Sequence, residues 1–200
     1  LSGGGLQGLI EGHSVLCGSA DLMQLMNVKI PYRLVDRTTV LLAIDGVTDP
    51  HNLGAALRCA AGAGAQALIV PRDKAAPLNG AALKAAAGAA SFLPFFTVTN
   101  LSRVLRRLRE AYGFEVAGLD AHEAQSLYEY SCPPRLVLVA GSEGEGLRRL
   151  TRESCDILLK IPLNAQMESL NVAVASALAL FEYRRQHPLP TDGLAAEKAY

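Results

Sequence analysis

The stretch Arg135-Leu-Val-Leu-Val-Ala-Gly-Ser-Glu-Gly-Glu-Gly146 joins an apolar run directly to a glycine-rich loop. An apolar run of this length that ends in turn residues is typical of a buried strand. Working outward from it, further segments with the composition of strands lie at residues 40–44, 67–70, 95–98, 114–118 and 157–161. These segments together predict a sheet of several strands with an apolar centre.

Segments with helical composition separate these strands. They lie at residues 52–61, 79–87, 101–112, 147–153 and 169–186. Strands that alternate with helices predict an α/β fold, in which a parallel sheet has helices on both faces. Such sheets bind ligands at the carboxyl ends of their strands. The unusual loops after Ile44, Ala140 and Ile161 are therefore expected to converge on one site.

The domain organisation is expected to be simple. We predict that residues 1–39 are a linker or a lead-in segment of irregular or helical structure, and that residues 40–187 form one domain. Residues 188–200 are predicted to be a flexible tail, since Pro188 and Pro190 end the last helix. Because the chain begins with Leu1 instead of Met, we expect it to be a piece of a longer protein.

Composition excludes several classes of protein. No apolar stretch is long enough to predict a membrane span, and no signal peptide is visible. Lysine plus arginine equals aspartate plus glutamate at 19 each, whereas a dedicated nucleic-acid-binding domain is usually basic. The arginines are clustered, however, in the segments 103–109, 148–152 and 184–185. These clusters predict either local basic patches or ordinary solvated helix faces.

The cysteines do not predict a metal site. Cys17, Cys59, Cys132 and Cys155 have no C-x-x-C spacing, so zinc is not expected. We interpret them as reduced thiols that mostly fill the core of a cytosolic protein.

The first candidate site segment is Asn52-Leu-Gly-Ala-Ala-Leu-Arg58. Asn52 is either a helix N-cap or a functional residue. Gly54 is costly in a helix, which suggests that another backbone or a ligand comes close. Arg58 has small apolar neighbours, so it is either an exposed arginine or one that needs an anionic partner.

The second segment, Gly141-Ser-Glu-Gly-Glu-Gly146, is either a plain turn before a helix or part of a site. It does not have the G-x-G-x-x-G order of a dinucleotide loop, and the chain has no phosphate-binding P-loop motif. Glu143 in this loop is well suited to accept hydrogen bonds from hydroxyl groups or arginine.

The third segment runs from Ile161 to Asn171 and is dense in polar residues. Ser169 is expected to cap the last helix, which leaves Asn171 without a capping task. The helix that follows is apolar nearly all round and is therefore expected to be buried, with its polar start facing a site or an interface.

Together, these three segments carry a specific resemblance. Asn52-x-Gly-x-x-x-Arg58, Gly141–Gly146, and Ile161-Pro-Leu with Glu168-Ser-Leu-Asn171 resemble, in order and spacing, the three motifs of the SpoU (TrmH) family of the SPOUT superfamily. The longer phrase Asp45-Gly-Val-Thr-Asp-Pro-His-Asn-Leu-Gly54 is similar to the branch that methylates a guanosine of 23S rRNA. The resemblance covers about residues 40–186.

The resemblance implies a fold, a cofactor and an assembly. Residues 40–187 would form a SPOUT methyltransferase domain with a C-terminal trefoil knot. S-adenosylmethionine would be the methyl donor, and no metal would be required. The residues that would hold it are Ala140, Gly141, Ile161, Leu163 and Leu170. The protein would be a cytoplasmic homodimer that methylates ribose 2′-oxygens in RNA, with its active site near the subunit interface.

Two departures from the family pattern are visible. Ala165 stands where the third motif often has glycine, and we expect this chain to lack the N-terminal RNA-binding domain that many relatives carry.

The family's chemistry assigns hypothetical roles to six side chains. A ribose hydroxyl is a weak nucleophile that must lose its proton during attack. Arg58 would hold an RNA phosphate and stabilise the developing alkoxide, since arginine does not deprotonate in proteins. The phosphate or a carboxylate, Glu143 first, would take the proton, and Glu168 would orient Arg58. His51 is not favoured as the base.

Three residues complete this hypothesis as positioning groups: Asn52, Ser169 and Asn171.

Other functions are compatible with parts of the sequence. A nicotinamide-dependent oxidoreductase would have an α/β fold, but it requires G-x-G-x-x-G at the first βα turn, where this chain has Asp45-Gly-Val-Thr-Asp49. A non-catalytic RNA-binding module with a decayed site is a second alternative. Transfer RNA could replace ribosomal RNA as the substrate, and an antibiotic-resistance methyltransferase is a further possibility.

Overall fold

The computed structural model describes residues 5–10, 13–18, 38–123, 125–142 and 144–189. The chain divides into two compact units, Leu1–Arg37 and Thr38–Tyr200. In the first unit, strands β1 (Gly5–Ile10) and β2 (His13–Gly18) pair antiparallel. The expectation of an irregular or helical lead-in is wrong for these strands. The sequence carries a hairpin signal there, since only two residues, the second of them a glycine, separate the strands.

The second unit contains a six-stranded parallel sheet. Its strands are β3 (Thr39–Asp45), β4 (Ala67–Pro71), β5 (Phe95–Val98), β6 (Glu115–Leu119), β7 (Arg135–Gly141) and β8 (Ile157–Leu159). They lie in the order β5-β4-β3-β7-β6-β8. Every residue of β3 is buried, as expected for a central strand covered on both faces.

The described part of this unit also contains five α-helices: α1 (Pro50–Gly62), α2 (Gly80–Ala86), α3 (Leu101–Tyr112), α4 (Arg149–Arg152) and α5 (Val172–Gln186). Successive side chains of β3 point to opposite faces of the sheet and enter two separate cores. Leu42 and Ile44 pack with α1, α2 and α5, while Leu41 and Ala43 pack with α3. The predicted α/β fold, with helices on both faces of a parallel sheet, is confirmed.

Helix starts differ from the prediction at two positions. Asp49 caps α1, because its side chain accepts a hydrogen bond from the His51 backbone N–H at 2.9 Å. Asn171 caps α5 by accepting from the Ala173 backbone N–H at 2.9 Å. Ser169 is therefore not the cap, and α5 begins three residues later than expected. Asn52 lies inside α1, so capping does not explain its presence.

The last helix is buried on one face only. Val174, Leu178 and Phe181 are 47%, 37% and 53% exposed, and their spacing of four and three residues places them in one stripe. The expectation of burial all round is therefore wrong for this face, since the sheet and α1 cover only the opposite one.

None of the helices in the described ranges is long and apolar enough to cross a membrane. Residues 190–200, the greater part of the predicted tail, lie outside the described residues, as does Glu143.

Candidate functional site

A cavity of about 310 Å³ opens at the carboxyl edge of the sheet, where the segments that follow β6, β7 and β8 meet. Ligand-binding cavities begin at about this size. Its lining includes all five residues that the resemblance assigns to the cofactor: Ala140, Gly141, Ile161, Leu163 and Leu170. The structure therefore brings together side chains separated by up to 30 positions in the sequence.

The glycine-rich loop after β7 closes tightly on itself. Ser142 and Gly146 exchange two backbone hydrogen bonds, of 3.1 Å and 3.0 Å. A Cβ built on Gly141 would lie 2.1 Å from the carbonyl carbon of Gly146, so only glycine fits there. Gly144 and Gly146 have φ angles of +85° and +66°, which favour glycine. The glycines thus shape one wall of the cavity and expose its backbone.

A buried ion pair fixes the far end of this loop. Asp45, fully buried at the end of β3, accepts a hydrogen bond from Arg148 Nε at 2.6 Å and another from the Arg148 backbone N–H at 3.2 Å. The Arg148 Nη2 contacts the same carboxylate. This pair was not predicted from the sequence, although an aspartate directly after an apolar strand was a signal that it has a partner.

A second ion-pair cluster lines the cavity itself. The Arg152 guanidinium is hydrogen-bonded to Asp120 and to Glu123, which follow β6. Arg152 and Asp120 both line the cavity. Sequence analysis missed this cluster as well, because its members are about 30 residues apart. It holds the β6 loop against α4 and leaves the cavity wall with its charges paired at this point.

Much of the remaining wall is apolar, with a few polar side chains between and exposed polar groups at one rim. Leu119, Leu159 and Val172 contribute apolar surface, and Glu168 and Ser169 stand at the rim. An apolar slot with backbone amides and a few polar side chains suits a planar heteroaromatic ring that carries a polar tail. The lining therefore fits the adenosyl and methionyl parts of the implied cofactor.

The first and third motifs are joined directly. Asn171 Nδ2 donates a hydrogen bond to Asn52 Oδ1 at 2.8 Å, across 119 positions of sequence. Since Asn171 also caps α5, one side chain sets the start of α5 against the first turn of α1. Both asparagines predicted to be functional are therefore in contact at the carboxyl edge of the sheet.

Gly54 serves the packing of α1. A Cβ at this position would lie 2.2 Å from the carbonyl oxygen of Ala82 in α2. Of the two expectations for this glycine, the close approach of another backbone is confirmed.

Arg58 is exposed on α1 and does not line the cavity of its own chain. No ion pair joins it to Glu168 or to any other described residue, so the expectation that Glu168 orients it is not met within one chain. Of the two interpretations of Arg58, the structure of the single chain agrees with the exposed arginine. Glu143 lies outside the described residues, so its predicted role stays a prediction.

Ala165 does not disturb the third segment. Its backbone is outside the left-handed region, in which only Lys74 and Ala87 are found among the described non-glycine residues. The turn is closed by Asn164, whose carbonyl accepts from the Met167 N–H at 2.9 Å. The loop thus needs no glycine at position 165.

The cysteine thiols are not poised for catalysis. Burial raises the pKa of Cys155 to about 12 and that of Cys132 to about 11, and it also raises the pKa of Cys59. A thiol with a raised pKa is a poor nucleophile at neutral pH, as the core-filling interpretation expects. Cys17 lies in β2, whose side chains are outside the described part of the structure.

Comparison with known proteins gives a consistent result. The model of the SpoU rRNA Methylase family matches residues 39–181. A 23S rRNA (guanosine-2′-O-)-methyltransferase RlmB from a Burkholderia species is 53% identical over 152 residues, which cover 76% of this chain and 61% of that protein. RlmB from Ralstonia nicotianae is 44% identical over 182 residues, which cover 91% of this chain and 73% of the relative.

A solved structure extends the comparison to the fold. The SpoU methyltransferase AviRb from Streptomyces viridochromogenes, in complex with AdoMet, matches with a TM-score of 0.71 at 26% identity, covering 87% of this chain and 64% of that one. The chain spans about three fifths of the length of the Burkholderia relative, where the match covers 61%.

Proposed function

The chain belongs to the SpoU rRNA Methylase family, and from this premise we propose that it transfers the methyl group of S-adenosylmethionine to a guanosine ribose 2′-oxygen in 23S rRNA. The family resemblance seen in the sequence is thereby confirmed. The observation that carries the proposal is the cavity at the carboxyl edge of the sheet, built from the second and third motifs and lined by all five expected cofactor residues. The names of the relatives support the substrate, and AviRb with AdoMet supports the cofactor.

In the proposed complex, S-adenosylmethionine supplies an electrophilic methyl group on a sulfonium. Gly141, Ile161 and Leu170 would hold it largely through backbone groups, with Ala140 and Leu163 lining the site beside them. The tight Ser142–Gly146 turn keeps this wall rigid, which preserves the geometry that attack requires. A trefoil knot in the C-terminal part of the domain stays a prediction of the family resemblance.

The nucleophile would be the ribose hydroxyl, whose oxygen would form the new O–CH₃ bond as the S–CH₃ bond of the sulfonium breaks and leaves a neutral thioether. The hydroxyl would release its proton in the same reaction. A carboxylate, Glu143 first, or the RNA phosphate would take that proton. Arg58 would bind the phosphate and stabilise the oxygen as negative charge develops on it. Asn52, Ser169 and Asn171 would position the ribose and the loops, and the Asn52–Asn171 hydrogen bond supports this placement for two of them.

The proposed active protein is a homodimer. Within one chain, Arg58 stands away from the cavity, and the stripe of Val174, Leu178 and Phe181 leaves apolar surface exposed on α5. A second copy that covers this stripe would remove it from water and would place two chains around one site. A 23S rRNA substrate places the proposed reaction in the cytoplasm.

The experiment that tests this function follows radiolabelled methyl transfer from S-adenosylmethionine to unmodified 23S rRNA and to bulk transfer RNA. We expect label at a ribose of 23S rRNA. In Arg58→Ala the rate should fall by about 100-fold or more, since oxyanion stabilisation has this magnitude. Lys84→Ala, which removes an exposed cation from α2, is the control and should keep the wild-type rate.

Three results would change the proposal. Label in transfer RNA alone would reassign the substrate. Cofactor binding without transfer to either RNA would indicate a non-catalytic module. Full activity of Arg58→Ala with unchanged RNA affinity would exclude the role assigned to that residue.

A further inference from the structure

Most arginines of the second unit have a partner in the structure. Arg109 pairs with Asp156, Arg149 with Glu153 and Arg185 with Glu182, and buried Arg184 donates to the carbonyl of Gly64. Arg148 and Arg152 belong to the ion pairs at the cavity. In contrast, Arg103, Arg106 and Arg107 on α3 are exposed, and their guanidinium groups make no ion pair or hydrogen bond with any described residue. These three are the exception among clustered arginines.

Two of these arginines line a groove of about 390 Å³ between α3 and α4. Arg103 and Arg106 form one wall with Asn100 and Ser102, and Leu150 of α4 contributes to the other. We call this cavity the α3–α4 groove. Glu153 is its one carboxylate, and Arg149 already binds that carboxylate at 2.7 Å. The uncompensated charge of the groove is therefore positive.

The start of α3 is an electrostatically unfavourable place for these arginines. Arg103 is the third residue of α3, where the positive end of the helix dipole disfavours a cation. Arg103 and Arg107 are also four residues apart, a spacing at which like charges on a helix repel. α3 has no acidic residue in its first turn to offset either effect. A cluster that opposes helix stability points to a requirement for an anion.

The groove lies beside the candidate active site. α4 is a single helical turn that has the groove on one side, lined by Leu150, and the cofactor cavity on the other, lined by Arg152. A helix with its side chains is about 10 Å wide. A nucleic-acid strand rises about 3.4 Å per nucleotide, so the groove lies roughly three nucleotides from a ribose placed at the cavity.

We propose that the α3–α4 groove binds phosphates of the substrate RNA a few nucleotides from the methylated ribose, with Arg103 and Arg106 as the contacting residues. This inference rests on the proposed RNA substrate. Arginine forms paired hydrogen bonds with phosphate, and the Ser102 hydroxyl and Asn100 amide add donors beside them. The groove contacts the backbone only and sets the register of the strand without reading bases.

The test measures binding of a fluorescein-labelled fragment of unmodified 23S rRNA by anisotropy over a series of salt concentrations. The double variant Arg103→Gln with Arg106→Gln is compared with Lys84→Gln with Arg107→Gln, which removes the same charge from α2 and α3 outside the groove. We expect the groove variant to bind about tenfold or more weakly. The slope of log K against log salt should fall by roughly 1.5, the value for two lost phosphate contacts.

Two further readouts separate this role from a structural one. S-adenosylmethionine affinity should stay unchanged, and the Tm of the groove variant should equal or exceed that of the wild type, since repulsion is relieved. A lower Tm with weaker cofactor binding would indicate a structural role and would overturn the proposal.

The remaining outcomes are also decisive. Equal RNA affinity and an equal salt slope for the two double variants would exclude the groove as a phosphate site. If the wild-type chain bound polyglutamate more tightly than RNA, the groove would be a site for acidic protein segments instead, which would also exclude it. RNA binding that depends on Arg103 and Arg106 without any methyl transfer would support the groove while contradicting the proposed enzyme function.

Discussion

Gly54 sits where α1 passes against α2, and the absence of a side chain sets the distance between these helices. A Cβ there would lie 2.2 Å from the Ala82 carbonyl oxygen and 2.6 Å from the Ala85 Cβ. Neither neighbour is the end of a flexible side chain, so both helices would have to separate. Gly62, in the last turn of the same helix, has nothing within 4 Å of its corresponding position.

The same substitution should therefore have opposite effects at these two positions. Gly54→Ala is expected to lower the free energy of unfolding by about 1 to 3 kcal/mol, since overpacking outweighs the better helix propensity of alanine. Gly62→Ala should raise it by up to about 1 kcal/mol. Urea denaturation of both variants measures the difference, and a stabilised Gly54→Ala would contradict the close packing described here.

A buried carboxylate ties the end of α5 to the segment after the β6 loop. Glu182 accepts hydrogen bonds of 2.8 Å from Arg185 Nε and from Gln186 Nε2. Gln186 in turn bonds the backbone of Tyr130 and of Cys132. The hydrogen bond from Arg185 is the main cause that lowers the pKa of Glu182 below its ordinary value.

This lowered pKa gives a pH-dependent prediction. A carboxyl group whose pKa is lower in the folded state contributes stability above its unfolded pKa, near 4.3, and loses it as the pH falls through the folded value. Glu182→Gln should therefore reduce the free energy of unfolding by about 1 to 3 kcal/mol at pH 7 and progressively less below about pH 4.

The measurement is chemical denaturation across pH 2 to 7, on the order of ten points, with Glu129→Gln as the control on an exposed carboxylate. A deficit in Glu182→Gln that did not change with pH would show that packing, not charge, is the contribution of this side chain.

At the scale of elements, α1 and α5 are attached to each other at both ends. The Asn52–Asn171 hydrogen bond joins their first turns. At the other end, Arg184 of α5 donates to the carbonyl oxygens of Ala63 and Gly64, which follow α1. The Arg184 guanidinium thereby caps the end of α1, because it satisfies two carbonyls that have no partner within the helix. This double attachment fixes where Arg58 stands on the surface.

The starts of α1 and α5 show how far helix boundaries could be predicted from the sequence. Asp49 and Asn52, like Ser169 and Asn171, are both good caps a few residues apart, and local preference does not choose between them. Pro50 at the first position of α1 was the signal for Asp49. For α5, Asn171 is the cap that also forms a hydrogen bond with Asn52. This contact joins distant segments, so no local sequence pattern predicts which of the two residues caps the helix.

At the scale of the whole molecule, the exposed stripe on α5 gives the clearest prediction. Leu178→Glu with Phe181→Glu is expected to convert the proposed dimer to a monomer in sedimentation velocity, because charge in an apolar interface is strongly unfavourable. Methyl transfer should fall with it if two chains build the site.

Leu83→Glu is the matched control, since Leu83 is equally exposed on α2 and lies outside the stripe. A wild-type chain that sediments as a monomer at micromolar concentration, or a double variant that remains dimeric, would contradict the proposed assembly.

The sequence was sufficient for the architecture and for part of the site. The alternation of apolar strands and helices predicted the parallel sheet. The rule that ligands bind at the carboxyl edge of such a sheet predicted where Gly141 and Ile161 meet. The spatial strand order was not available, because neighbours such as β3 and β7 are set by the packing of all the layers. For the same reason the Asp45–Arg148 and Arg152–Asp120 pairs were not predicted.

The pairing of β3 with β7 also has a consequence for how the protein is made. Thr39 pairs with Arg135, so 135 − 39 = 96 residues separate the two partners in the chain. A ribosome adds about 5 to 20 residues per second, so β3 emerges roughly 5 to 20 s before its neighbour. During that interval β3, a buried strand with an apolar middle, lacks one of its two neighbouring strands while the chain is attached to the ribosome. An unpaired strand edge is a template for pairing with other chains, so the partly synthesised domain is exposed to such association until β7 closes its centre.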